Sequence, residues 1–187
     1  MGTEQLTPAQ VISMYRADTL KLYAYLPYFE KMNGQKVSNT FDQDGLSQHS
    51  LVFPVYDGNL LRFVKDAEQT AFMNRNYRYT FTRYRIKTAA DEHAVIDKCT
   101  ILQLDVIGDI LTKYIFGGRT KAALWSEGVR NGVYMAAVTK AYELIHRMRK
   151  KMGYNDTKVS FANHLRCFVP KDATDPKQRI MAKGSEW

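Results

Sequence analysis

The segment with the most chemistry to offer is Arg75-Asn76-Tyr77-Arg78-Tyr79-Thr80-Phe81-Thr82-Arg83-Tyr84-Arg85-Ile86-Lys87, which interleaves cations with aromatic rings and contains no acid. A cation meets phosphate and a flat ring stacks on a base, so these types side by side suit a nucleic-acid surface. Arg75, Arg78, Tyr79, Arg83, Tyr84, Arg85 and Lys87 are the candidate binding residues in it. A second basic cluster, His146-Arg147-Met148-Arg149-Lys150-Lys151, adds Arg147, Arg149, Lys150 and Lys151. The formal charge of +8 points the same way, towards nucleic acid, an anionic membrane or an acidic protein, although it also serves plain solubility. The competing reading of the run places Tyr77, Tyr79 and Phe81 in a core and leaves the charges solvated.

Other chemistry is thinner. Asp91, Glu92, His93 and Asp97 cluster at a predicted helix start, with His93 and Asp97 four apart on one face. Two ligands at that spacing can touch a metal, but a usual site needs more, and first-turn acids also stabilise a helix N-terminus. Asp105 and Asp109, again four apart, read as a solvated face. Asp42-Gln43-Asp44-Gly45 imitates part of a calcium loop, yet Leu51 falls where a bidentate Glu is required, so it reads as a polar turn. Cys167 follows His164 by three residues without a third orienting group. Neither a GxSxG nor a phosphate-loop pattern occurs. Gly117-Gly118-Arg119-Thr120 would open a helix where an anion could sit, a weak signal. No catalytic residue, metal or cofactor is assigned.

The elements that must position these residues follow from periodicity. Thr7-Pro8-Ala9-Gln10 has an N-cap hydroxyl, a proline at the first helical position and a capping-box partner. Ile12, Tyr15, Thr19, Leu22, Leu26 and Phe29 then share a helical face, with Pro27 kinking or dividing the helix and Gly34 ending it. Gln35–Ser50 reads as irregular, and Leu51–Tyr56 as an extended edge segment limited by Pro54. Asp57 caps a helix to about Met73 that turns Leu60, Leu61, Val64, Ala67 and Ala71 inward. The basic-aromatic run alternates as a strand, with helix as its rival; a strand would split its cations between two faces. One helix from Asp91 to Gly117 carries Val95, Cys99, Leu102, Val106 and Ile110 on its stripe. A last one from about Thr120 to Met152 carries Gly128, Gly132 and Ala136 as packing positions. Lys158–Val169 reads as a short strand and Pro170–Trp187 as a mobile tail.

The order of several motifs resembles a known family. They are Tyr25-Leu26-Pro27-Tyr28-Phe29-Glu30, Pro54-Val55-Tyr56, Phe63-Val64, Phe72-Met73, Tyr77, Leu111-Thr112, Gly118-Arg119, Leu124-Trp125-Ser126-Glu127-Gly128-Val129 and Gly132-Val133. Together, over roughly Leu20 to Ile145, they are similar to small bacterial proteins known only as a domain of unknown function, common in Gram-positive genomes and their mobile elements. The chain departs from that pattern at Arg119-Thr120, where an arginine followed by an aromatic residue is expected. The resemblance implies a fold and a setting rather than an activity. Small proteins of phages and conjugative elements often bind a host machine, CRISPR nucleases among them.

The sequence therefore predicts a mainly α protein with a small β element (α+β), about four helices ending in a long antiparallel helical hairpin. Residues 1–153 form a single helical domain, and 154–187 a C-terminal extension. The expected function is that of a non-enzymatic binding protein of phage or mobile-element type that engages nucleic acid, a nucleoprotein complex or a nucleic-acid-binding protein through its basic-aromatic surface, including inhibition of a bacterial defence nuclease in the anti-CRISPR manner. The alternatives are a metal-dependent nuclease or hydrolase and a homodimeric interaction module. A polar start at Met1–Thr7, two unpaired cysteines (Cys99 and Cys167) and no apolar run near ~18 residues predict a cytoplasmic protein that does not enter membranes.

Overall fold

The computed structural model describes residues 6–35, 37–41, 53–121 and 123–154. The chain divides into two units, Met1–Tyr154 and Asn155–Trp187, and only the first contains described residues. The predicted strand at Lys158–Val169, the tail, the His164–Cys167 pair and the Asp42–Gly45 turn all lie outside them.

The architecture is mainly helical. Thr7 caps α1 (Pro8–Tyr23) through the capping box, accepting from the Gln10 amide while the Gln10 side chain accepts from the Thr7 amide. Pro27 divides rather than kinks: α2 (Leu26–Met32) starts anew with the proline in its first turn. The only strands among the described residues are β1 (Ser38–Phe41) and β2 (Phe53–Tyr56), antiparallel with Ser38 opposite Tyr56 and Phe41 opposite Phe53. β1 falls in the stretch expected to be irregular. Asp57 caps α3 (Gly58–Glu68) by accepting from the Asn59 amide at 2.8 Å. That helix stops five residues earlier than predicted, so Ala71 is exposed, and Leu61 points outward because the buried row is Leu60, Phe63, Val64 and Ala67.

Three elements differ from the sequence expectation. The basic-aromatic run is not a strand; it forms α4 (Tyr77–Arg83). The helix expected from Asp91 to Gly117 is two, α5 (Ala89–Lys98) and α6 (Leu104–Gly117), parted where Cys99 turns extended and joined by a 3₁₀ turn at Ile101–Gln103. Thr100 and Gln103 cap that turn reciprocally, which restarts the chain and leaves Leu102 outside the core. The last predicted helix is also two, α7 (Ala123–Arg130) and α8 (Val133–Lys151), separated by Gly132 at φ +69°, a left-handed conformation that favours glycine.

α6 and α8 form the centre. α6 packs against α3, α4, α5, α7 and α8, and α8 against α1, α2, α5, α6 and α7. Between them lies an aromatic cluster in which Phe29 and Tyr134 both meet Phe63 with ring centroids 4.8 Å apart, and Tyr114 meets Tyr134 at 5.6 Å. Edge-on and tilted pairs of this kind add to the area they bury. α1 is part of this core through Val11, Ile12, Tyr15 and Leu22. The link after α6 is tightly closed despite Thr120: the Trp125 ring lies against Gly118, where a Cβ would clash, and its indole donates to the Ile115 carbonyl at 2.9 Å.

Candidate nucleic-acid interface

α4 is a short helix held from below by polar contacts. Asn74 fixes its approach: its amide nitrogen donates to Thr112 Oγ1 at 3.1 Å and its side-chain nitrogen to Asp109 Oδ1 at 2.8 Å. Its own Oδ1 accepts from the Asn76 amide, turning the chain into the helix. One turn on, the buried Thr80 hydroxyl donates to Asp109 Oδ2. The backbone of residues 72–74 can come this close to α6 because Gly108 stands beneath it; a Cβ there would be 2.5 Å from the Phe72 carbonyl oxygen. Tyr77 and Phe81 meet edge-on at 6.0 Å, and the Lys113 ammonium lies 5.3 Å over the Phe81 ring.

With Thr80 and Phe81 turned inward, helical spacing leaves Arg78, Tyr79, Thr82 and Arg83 on the sides away from the core, where all four are exposed, and Arg75 is exposed just before them. This removes the difficulty of a strand, which would divide the cations. Tyr79 is 70% exposed, the highest value among the large apolar side chains described. Tyr84 differs: it is half-buried, its hydroxyl accepts from Gln103 Nε2 at 3.3 Å, and the Arg83 guanidinium lies 5.7 Å from its ring centre. It is a support for the helix end rather than an open ring. The helix closes with Ile86 donating to the Phe81 carbonyl while Arg85 adopts φ +53°, the one non-glycine residue among those described with positive φ. Arg85 and Lys87 are exposed beyond it. Among the described residues none of Arg75, Arg78, Arg83, Arg85 and Lys87 forms an ion pair.

The second basic cluster lies on another element. Arg147, Arg149, Lys150 and Lys151 are at the C-terminal end of α8, which packs on α1 while α4 packs on α6. Cations in a last helical turn favour the helix dipole, a sufficient structural reason for their place. The Arg149 guanidinium lies 4.8 Å from the Tyr154 ring centre, and both border a groove of about 350 Å³ shared with Ile12 and Arg16 of α1.

The acidic cluster disperses. Asp91 completes a capping box with Thr88, and amide and hydroxyl donors from Lys87 and Thr88 hold its carboxyl below the usual range. Glu92 is fully buried, accepting from Lys113 Nζ and the Tyr114 hydroxyl. His93 Nε2 hydrogen-bonds the Asn131 carbonyl oxygen at 2.8 Å, and Asp97 is exposed. Among the described residues no three His, Cys, Asp or Glu side chains are placed to share a metal. The glycine link does not open a helix: Gly117 and Gly118 end α6, and Arg119 forms a 2.8 Å ion pair with Glu68.

Asp109 is the acid expected on a solvated face that the structure places inside. It is 3% exposed, not on a solvated face, and burial raises its carboxyl above the usual value against the lowering effect of the Thr80 and Asn74 hydrogen bonds. A signal was present: Asp109 stands inside Val106-Ile107-Gly108-Asp109-Ile110-Leu111, and a carboxylate within so apolar a stretch has no wet side to turn to. Asn74, Thr80 and Thr112, its partners and neighbours, carry no comparable sign.

No family model, curated protein or solved structure matches this chain. Of the positions behind the family resemblance, Phe29, Phe63, Phe72, Leu111, Thr112, Val129 and Val133 are buried, whereas Pro27, Glu30, Val55 and Arg119 are exposed.

Proposed function

We propose that this chain is a non-enzymatic nucleic-acid-binding protein whose outer α4 face, with Arg75, Arg78, Tyr79, Arg83, Arg85 and Lys87, meets the phosphate backbone. The observation that carries the reading is two exposed cations on α4, Arg78 and Arg83, with Arg75, Arg85 and Lys87 exposed in the segments that flank it, all without ion pairs among the described residues. Unpaired surface cations are already desolvated on neither side by an acid, so phosphate replaces only water and counterions. Polar anchoring of the inward face through Asp109 supports a fixed platform rather than a loose tail.

We assign this activity to the cytoplasm. Cys99 is unpaired, as cysteines of a reducing compartment are; desolvation pushes the buried thiol up to about 11, which leaves it inert. No helix of the described residues is long and apolar enough to cross a membrane. The resemblance to proteins of mobile elements supports a setting in which the nucleic acid belongs to a host complex such as a defence nuclease.

The test is charge reversal of Arg78, Arg83 and Arg85 to Glu together. These side chains are exposed, so helical content should be unchanged while binding to a labelled oligonucleotide is lost. Five phosphate contacts predict that the logarithm of affinity falls with that of salt at a slope of about 3 to 4 on a single strand. Undiminished binding by the reversed variant would sink the proposal.

A further inference from the structure

The geometry points to single-stranded nucleic acid as the substrate class of the α4 face, with Tyr79 as the stacking platform for an unpaired base. This inference rests on the nucleic-acid reading above and goes further by naming which form is bound and which atom group selects it.

Three tyrosines and a phenylalanine lie in the run, and the structure disposes of all but one. Tyr77 and Phe81 satisfy each other edge to face, and Phe81 also lies beneath the Lys113 ammonium. Tyr84 is tied to Gln103 and flanked by Arg83. Tyr79 has neither a ring partner nor a hydroxyl partner among the described residues, and 70% of it faces solvent. Leaving so large a ring in water forgoes the burial available to its neighbours.

Its surroundings define what would cover it. Arg78 precedes it, Arg83 follows one turn later on the same row, and Arg75 stands at the approach to the helix. An apolar partner protein would have to bury those guanidinium groups without acids, whereas a nucleotide offers a flat face for the ring and phosphates for the cations at once. In a duplex the base faces are already stacked on one another and only edges and backbone are offered. A ring among arginines therefore gains its full contact only with an unpaired strand.

The measurement is fluorescence anisotropy of the full chain with a labelled strand of roughly 15 nucleotides, a length that covers a short binding face. The arms are the DNA strand, the RNA strand, the DNA strand carrying abasic positions, and the DNA duplex. The expected result is single-strand binding about 10-fold tighter than duplex binding, reduced about 10-fold by Tyr79→Ala and by abasic positions. Tyr79→Phe keeps the ring and should keep the affinity; Tyr79→Ala should lower single-strand affinity more than duplex affinity and so narrow the gap between them. Equal binding of strand and duplex, or single-strand affinity indifferent to Tyr79→Ala, overturns this inference while the phosphate-binding reading stands. Binding of none of the four overturns both. Preference for the RNA or the DNA strand supports the inference either way and names the natural strand.

Discussion

Two buried carboxylates hold the helices around α6, and they are satisfied in opposite ways. Glu92 of α5 is fully buried and receives an ammonium, from Lys113, as well as the Tyr114 hydroxyl, each at 2.5 Å. Asp109, one turn before Lys113 on α6, receives only neutral donors, the Thr80 hydroxyl and the Asn74 amide. The first is an ion pair completed inside the fold and reinforced by rings: Lys113 also lies 4.8 Å from the Tyr114 ring centre. The second is a charge without a countercharge, and burial works against its ionised form. The contrast teaches that α5 is locked into the core, whereas the helix carrying the cations is held by an anchor whose strength depends on pH.

The largest effect should come from breaking the ion pair. Lys113→Met keeps most of the side-chain volume but leaves Glu92 buried and uncompensated, a loss of about 3–5 kcal/mol in denaturant unfolding. The ammonium is partly exposed, which places the expectation at the lower end of that range. A loss below that of Asp109→Ala would break the comparison.

Asp109→Ala strands the Thr80 hydroxyl and the Asn74 amide, at about 2 kcal/mol, and should weaken oligonucleotide binding because α4 loses its seat. Asp109→Asn sharpens the point, since an amide can accept from Asn74 and donate to Thr80 without carrying charge. A carboxyl raised in the folded state contributes stability that is complete below its unfolded value and is lost as pH rises through the folded one. The Asn variant has no such loss. Its stability relative to the unsubstituted chain should therefore increase from about pH 4 to pH 8, measured as the difference in urea midpoints. A difference constant across that range would show that Asp109 does not titrate differently on folding.

The smallest effect concerns the helix end. Arg85 occupies a left-handed conformation that costs a side-chain-bearing residue about 1 kcal/mol. Arg85→Gly should stabilise the fold by about that amount while weakening nucleic-acid binding. Gain in stability with unchanged binding would leave Arg85 outside the interface.

Much of the scaffold was legible before any coordinates. Thr7 and Gln10, Asp57, Pro8 and Pro27 act within three or four residues of themselves, so caps and breaks could be read locally. The same rule would have found the break at Cys99, because Thr100 and Gln103 form a capping box in plain sight. α4 was harder. Its tyrosines, threonines and phenylalanine favour strands by type, and a seven-residue helix has little propensity of its own to set against them.

Composition and local spacing determined that the chain is mainly helical, strongly basic, and concentrates cations with rings between Arg75 and Lys87. Tertiary structure decided which of those rings is exposed and on which side the cations lie. The physical reason is distance in sequence: Asp109 and Lys113 reach α4 across about thirty residues, and it is their partners, Thr80 and Phe81, that fix the inward face. Once those two point to α6, the helical period leaves Arg78, Tyr79 and Arg83 no other direction than outward.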